Sequence, residues 1–209
     1  MITVHHLNES RSQRILWLLE ELNVPYEIQP YFREEHTKMA PPELREVHPL
    51  GKSPVISDDG KVVAESGAII DYVIRRHGGG RLEPDRSSDA YDDYVHWLHY
   101  AEGSAVVPFI VQPIANAYGR LSGPLRRRVA AELDLHMSYI DASLNERDYL
   151  LGDELTGADI QMSFVGELAG SRADRSLYPN VDTWIRRLQA RPAYQAAIVR
   201  GGPYELGRS

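Results

Sequence analysis

The stretch from His48 to Ser66 reads HPLGKSPVISDDGKVVAES, and the rest of the chain is arranged around it. Gly51 and Pro54 punctuate its start, Val55-Ile56 reads as a short strand, and Asp59-Gly60 is a tight-turn signal into a second strand at Val62-Val63. The stretch ends on Glu65-Ser66, directly before an apolar run at helical spacing. A hydroxyl and unpaired backbone N–H groups therefore crown a helix N-terminus, a ready site for an anion. These features predict a cradle for a small, extended, carboxylate-bearing ligand, with backbone near Pro54 as its edge and Ser66 as the anion socket. Each residue also has a plainer reading. Pro54 can simply begin a strand, and Glu65-Ser66 can be a strand end followed by a helix cap.

Upstream, Ile2 to Leu7 is β-branched and predicts a first strand, and Asn8-Glu9-Ser10 breaks it. Ile15, Leu18, Leu19 and Leu22 then recur at helical spacing, giving a helix from Arg11 to about Leu22. Tyr26 to Tyr31 predicts a second strand, which Pro30 confines to an edge. A helix joining two strands implies a parallel, right-handed crossover. Residues 33–47 are polar and interrupted by proline, with at most a short helix around Pro42 to Val47, and His36 or Lys38 there could flank a ligand. A helix from Ser66 to about Arg76 completes a βαβ then ββα order. The natural product is a four-stranded sheet with three helices.

His77-Gly78-Gly79-Gly80 through Pro84-Asp85 piles up helix-stopping residues and marks a boundary, with a linker at 78–88. Everything beyond it reads as helix. Ser88 or Asp89 caps a helix carrying Tyr91, Tyr94, Val95, Leu98 and Ala101, which Pro108 should kink or interrupt before a continuation to Ala117. Gly123-Pro124 opens another, with Leu125, Val129, Leu133, Met137, Ile140 and Leu144 in one stripe. Thr156 to Asp159 resembles a capping box with Asp in place of Glu, and Leu155 is placed to staple against Ile160. Val181 to Ala190 gives a fourth helix, and Pro192 begins a last short one. The domains are thus residues 1–77 and an all-helical 89–209.

The 209 residues carry 43% hydrophobic and 25% charged side chains, the balance of an ordinary folded protein. No apolar run approaches a membrane span, and the first residues lack the basic-then-apolar pattern of a signal peptide, so the expected location is cytoplasmic. A net charge of −7 argues against nucleic acid as a partner. Arg126-Arg127-Arg128 accordingly reads as a solvated helix face. The absence of cysteine removes disulfides, thiolate metal sites and a protein thiol nucleophile, so any thiol chemistry must come from a ligand. No metal site is expected either. His5 and His6 alternate across a strand, and His96 and His99 lack a third ligand. Tyr91, Tyr94, Trp97 and Tyr100 read as core or interface, although Tyr100 with Ser104 could line an apolar cleft between the domains.

The loop after the first strand is the second informative place. Asn8, Ser10 and Ser12 lie where the chain turns into a helix, with Arg11 and Arg14 adding positive charge. A ligand thiolate placed there would be stabilised by the hydroxyl, the helix N-terminus and the cations. Ser10 reads equally well as a helix cap.

Taken together, H-x-L-x-x-S-R-x-x-R (His5, Leu7, Ser10, Arg11, Arg14), H-P-L-G-K-S-P-V from His48, E-S-G-A-I-I-D-Y from Glu65, T-x-A-D-I from Thr156 and the late R-P-A-Y resemble the cytosolic glutathione S-transferases. The likeness runs over nearly the whole chain. It is narrower still with the fungal and bacterial branch that shares the first motif. The resemblance implies a thioredoxin-like N-terminal domain, a helical C-terminal domain and a homodimer. It implies that Pro54 is cis, that Ser53 backbone pairs with the cysteinyl part of glutathione, and that Glu65 and Ser66 hold the γ-glutamyl end. Lys52, Lys38 or His36 would meet the glycyl carboxylate. Ser10 would stabilise the thiolate, with Asn8 and Arg11 as helpers, and Tyr100 and Ser104 would face a small hydrophobic electrophile. Shifting the register by one residue puts Glu9 in that place, where a carboxylate would disfavour the thiolate, so Ser10 is preferred. The absence of tyrosine there and of cysteine anywhere excludes the other two versions of the site. Glutathione would be a co-substrate, with no bound cofactor. Conjugation is the expected reaction; the alternatives are a glutathione-dependent disulfide reductase or peroxidase, or a non-catalytic binding or regulatory protein.

Overall fold

Asp59 and Gly60 take positive φ, 46° and 81°, and join β3 (Val55–Asp58) to β4 (Lys61–Ala64) in an antiparallel hairpin, the turn that Asp-Gly demands. β1 (Ile2–Leu7) pairs antiparallel with β3 and parallel with β2 (Tyr26–Tyr31), giving the sheet order β2-β1-β3-β4. Pro30 sits opposite His6 on the edge strand, where a missing N–H costs no ladder bond on the free side. The computed structural model describes residues 1–117, 123–172 and 175–207.

Helix α1 (Gln13–Leu22) starts two residues later than the apolar spacing predicts, because Ser10 closes a turn of its own by accepting the Gln13 N–H. α1 is buried almost all round: Leu16 and Trp17 are as inaccessible as Ile15, Leu18 and Leu19. It lies between the sheet and the second domain, touching α3 (Ser66–His77), α7 (Gly157–Arg172) and α9 (Pro192–Gly201). Trp17 packs edge-on against Tyr194, ring centroids 5.4 Å apart. The helix in the 33–47 segment shrinks to α2 (Leu44–Val47).

In the helical domain, α4 (Asp89–Tyr100) passes through a π-helical turn at Ala101–Ala105 into α5 (Val107–Ala117). Pro108 has no N–H to return to the Ser104 carbonyl, so the helix rewinds just before it, slightly earlier than the proline itself suggests. Ser88 occupies the cap position of α4 but turns its hydroxyl back to the Asp85 carbonyl, 2.6 Å away, and makes no side-chain cap. α6 (Gly123–Ser143) buries Val129, Leu133, Met137 and Ile140, but Leu125, the first residue of the expected stripe, lies in the first turn and is exposed together with Arg126, Arg127 and Arg128. α8 (Pro179–Gln189) and α9 follow. The fold is a thioredoxin-like domain with a four-stranded mixed sheet and a helical domain packed against its first helix. Among the described residues no helix is long and apolar enough to cross a membrane.

Candidate active site

The strand register fixes where the site can be. His5 lies opposite Val55 and Val55 opposite Ala64, so the β1–α1 loop, Ser53-Pro54 and Glu65-Ser66 all emerge at one end of the sheet. The Ser53–Pro54 peptide bond is cis. Ser53 Oγ donates to the His5 carbonyl at 2.9 Å and pins that turn to β1. His5 itself bridges Tyr31 Oη at 3.2 Å and Ser57 Oγ at 2.9 Å, so the histidine of the first motif ties three strands together.

Glu65 caps α3 in a strained backbone conformation (φ 71°, ψ 124°) and is exposed, while Ser66 is buried. Ser66 Oγ accepts from Arg14 Nη2 at 2.7 Å. Arg14 is itself buried and also donates to the Gln161 carbonyl and to Glu102. Arg11 completes the cluster, its Nε 3.0 Å from both Glu102 oxygens and its guanidinium 4.5 Å over the Phe164 ring. Burial alone would raise the Glu102 pKa, but Arg14 and Arg11 outweigh it and hold the carboxyl below its ordinary range. A cavity of about 680 Å³ opens here between α3 and α4, lined by Glu65, Gly67, Leu98, His99, Glu102 and Gln161.

The β1–α1 loop is a closed hydrogen-bond system. Ser10 is 5% exposed, and its Oγ is 2.8 Å from both the Leu7 carbonyl and Ser12 Oγ, and accepts the Ser12 N–H at 3.2 Å. Ser12 Oγ reaches His6 Nδ1 at 2.9 Å, and His6 Nε2 reaches the Gly201 carbonyl at 3.0 Å. Asn8 turns away from this system: its Oδ1 accepts the Arg33 N–H at 2.8 Å, and Arg33 in turn donates to the Asn8, Glu9 and Lys38 carbonyls. Glu9 spends both carboxylate oxygens on the Glu205 N–H, at 3.0 and 3.1 Å, holding the C-terminal tail over the loop.

The remaining expected residues fall elsewhere. Lys52 lines a separate depression of about 270 Å³ with Glu34, Pro42 and Arg45. His36 and Lys38 are exposed and outside it. Tyr100 and Ser104 are not brought to the cleft between the domains, because helical spacing sets Tyr100 on the α6 side of α4. Tyr100 Oη meets His136 Nδ1 at 2.6 Å and its ring stacks on His96, while Ser104 lines a cavity of about 440 Å³ between α5 and α6. Sequence spacing passes over Glu102 and Arg45, weighs His6 only as a metal ligand, and places Ser12 and Arg14 at the loop without their partners. Arg14 stands in the first motif, but nothing in the sequence assigns it a partner 88 residues away.

These features agree with the sequence comparisons. The model for the glutathione S-transferase N-terminal domain matches residues 10–76, and that for the C-terminal domain matches residues 107–192. Glutathione S-transferase 3 of Schizosaccharomyces pombe is 35% identical, over 94% of this chain and 86% of its own. The chain belongs to the glutathione S-transferase family. Glutathione S-transferase 1 of Saccharomyces cerevisiae is 32% identical to this transferase, over 94% of each chain. A crystal structure of a glutathione S-transferase from Actinobacillus pleuropneumoniae superimposes with a TM-score of 0.92 at 34% identity, covering 100% of this chain and 97% of that one. A glutathione transferase family member from Pseudomonas fluorescens, solved with two glutathione bound, superimposes with a TM-score of 0.79 at 25% identity, covering 94% and 92%.

The tail of the transferase carries a pH signature. Tyr204 and Tyr194 each donate to Glu167 at 2.7 Å. Burial pushes the Glu167 carboxyl up from 4.5 to about 6, with the two hydroxyls opposing it. The folded state then holds a proton that the unfolded state releases, so the contribution of this carboxyl to stability is full below pH 4.5 and is lost as pH rises to about 6. The loss is about 2 kcal/mol, at ~1.36 kcal/mol per pH unit. Glu167→Gln should abolish that slope in urea unfolding measured across the same interval.

Proposed function

We propose that the protein conjugates glutathione to a small hydrophobic electrophile. The observation that carries this reading is the register of the sheet, which gathers the β1–α1 loop, the cis Ser53–Pro54 bond and Glu65-Ser66 at one end. An extended tripeptide laid there pairs with Ser53 backbone, sets its γ-glutamyl carboxylate at Ser66 and the N-terminus of α3 beside Glu65, and points its thiol at Ser10. The Pseudomonas fluorescens relative solved with glutathione supports the same ligand. Lys52, joined by Arg45 in the neighbouring depression, is the cation set nearest the glycyl end, ahead of His36 and Lys38. Arg11 adds positive potential beside the loop. Asn8 acts by shaping the loop, since its side-chain oxygen is committed to Arg33. The cavity beside Ser104 shares Gly103 with the cavity at Glu65 and Glu102, and this adjoining space is the candidate for the electrophile. The homodimer implied by the resemblance is not needed for any of these steps.

Ser10→Ala tests the reading. Removing one hydrogen-bonding group from a developing thiolate should cost about 100-fold in kcat/KM, with glutathione affinity by titration calorimetry changed less than about threefold. Unchanged turnover would remove Ser10 from the chemistry. An aryl halide, a peroxide and a mixed disulfide assayed side by side separate conjugation from peroxidase and disulfide-reductase activity, and binding with no turnover of any of them would favour a regulatory protein.

A further inference from the structure

The proton positions around Ser10 follow from the acceptors. A carbonyl oxygen only accepts, so the Gly201 carbonyl, 3.0 Å from His6 Nε2, requires the proton of the neutral ring to sit on Nε2. Nδ1 is then a lone-pair acceptor, and at 2.9 Å Ser12 Oγ must donate to it. With its only proton committed, Ser12 can meet Ser10 at 2.8 Å only as an acceptor. The Ser10 hydrogen therefore points inward, toward Ser12 Oγ or the Leu7 carbonyl. The orientation suits Ser10 poorly as a donor to sulfur. It suits it well as an acceptor, because one of its two lone pairs takes the Ser12 N–H at 3.2 Å and the other is left.

We propose that His6 takes up the thiol proton of bound glutathione through the Ser10–Ser12 hydroxyl pair, so that the thiolate forms against a buried imidazolium rather than by loss of a proton to solvent. The step rests on glutathione being the ligand of this site. The S–H bond breaks as Ser10 Oγ gains that proton, Ser10 passes its own to Ser12 Oγ, and Ser12 passes its own to His6 Nδ1. Three bonds to hydrogen break and three form, nothing is oxidised, and the products are a thiolate and an imidazolium with Nε2–H still on the Gly201 carbonyl. The proton leaves along the same path when product departs.

His6 is suited to the role. Burial holds its imidazole below the ordinary value, so the ring waits neutral, and the negative charge left on sulfur then raises its proton affinity. The charged side chains on the neighbouring elements are engaged elsewhere. Arg14 of α1 binds Glu102 and Ser66, Arg200 of α9 binds Glu20 and the Tyr26 carbonyl, Glu9 binds the tail, and Arg33 beyond β2 binds loop carbonyls. His5, the neighbouring imidazole, points to the opposite face of β1 and bonds Tyr31 and Ser57.

The test uses the full chain with ¹⁵N-labelled histidine, reduced glutathione, and S-methylglutathione, which fills the same site but has no thiol proton. Calorimetry comes first: if neither compound binds, the glutathione reading falls and the relay with it. If both bind, nitrogen shifts of His6 are followed while thiolate absorbance is titrated through the ionisation of the bound thiol. The relay requires His6 to change from the Nε2–H form to imidazolium as the thiolate appears with glutathione, and not with S-methylglutathione. Thiolate formation with His6 still neutral overturns the relay and leaves the glutathione site standing. His6→Asn guards against a folding artefact, since Asn Oδ1 can still accept from Ser12 but cannot hold a proton. It should retain glutathione affinity, raise the ionisation midpoint of the bound thiol by about one pH unit and slow turnover at neutral pH about tenfold. An unchanged midpoint overturns the proposal.

Discussion

Asp159→Ala should cost about 4 kcal/mol of folding stability, the largest effect expected of any single substitution here. The side chain is wholly inaccessible and receives four donors: the Leu150 N–H at 2.9 Å and Trp184 Nε1–H at 3.0 Å on one oxygen, the Thr156 N–H at 2.9 Å and its hydroxyl at 3.0 Å on the other. Alanine leaves all four buried without an acceptor, at about 1–3 kcal/mol for each such group before relaxation and water entry reduce the sum. Three segments come loose together, because the carboxylate ties the Leu150 loop and Trp184 of α8 to the first turn of α7. Against a total stability of about 5–15 kcal/mol the loss is severe. It corresponds to a melting temperature lower by roughly 8–16 °C for a chain of this size. Asp159→Asn should cost about half as much, since its amide oxygen satisfies one donor pair while its NH₂ faces the other. Urea unfolding of the two variants checks both, and a loss below about 1 kcal/mol for alanine would show that water replaces the carboxylate freely.

The same residue marks how far the sequence was legible. Thr-x-x-Asp before an apolar run is a recognisable helix start, and it is a helix start. The pattern predicts a hydroxyl bonded to a backbone N–H, however, whereas Thr156 donates to the carboxylate and the second carboxylate oxygen serves residues from two other elements. Local spacing shows the near partners and is blind to the far ones. The hairpin turn, the edge placement of β2, the parallel β1–β2 pair and the stripe of α6 from Val129 onward are all local or periodic signals, and all were readable. On α1 the stripe of four apolar residues gave one buried face, but a helix packed on both sides buries Leu16, Trp17 and even Arg14, which a one-face reading leaves in solvent. In the site, Ser10, Ser53, Glu65 and Ser66 gather at one end of the sheet because strand register places them there. Tyr100 and Ser104 do not join them, because which face of a long helix meets which neighbour depends on packing that spacing alone leaves open. Ser12 and His6 were visible as residues but not as a chain, since the link runs through a carbonyl on α9, 195 residues from His6.

Arg14→Met should lower stability by about 3 kcal/mol at neutral pH, and most of that loss should vanish in acid. Arg14 is 4% exposed and joins four elements from one guanidinium: its own helix, Ser66 at the start of α3, Glu102 in the π-helical turn and the Gln161 carbonyl of α7. Methionine matches the aliphatic stem, so the expected loss comes from the polar partners. Removing one member of a buried ion pair costs about 3–5 kcal/mol, chiefly by leaving the other charge uncompensated. The lower end applies because Glu102 keeps Arg11 at 3.0 Å and its side chain is 31% exposed. The pH dependence identifies the cause. The folded-state pKa of Glu102 lies below its ordinary 4.5, so the ion pairs stabilise the native protein above that pH, and their contribution is lost as pH falls through the folded value. Wild type therefore loses stability in acid that the variant has already lost, and the two unfolding curves should converge there. Adding Glu102→Gln to Arg14→Met should recover part of the stability at neutral pH, because it removes the half-compensated carboxylate and leaves only Arg11 unpaired, whose side chain is 29% exposed and rests over the Phe164 ring. If the variant is equally weakened at neutral and acid pH, the loss comes from packing and from the Ser66 and Gln161 hydrogen bonds, and the ion pair is not what couples the sheet domain to the helices.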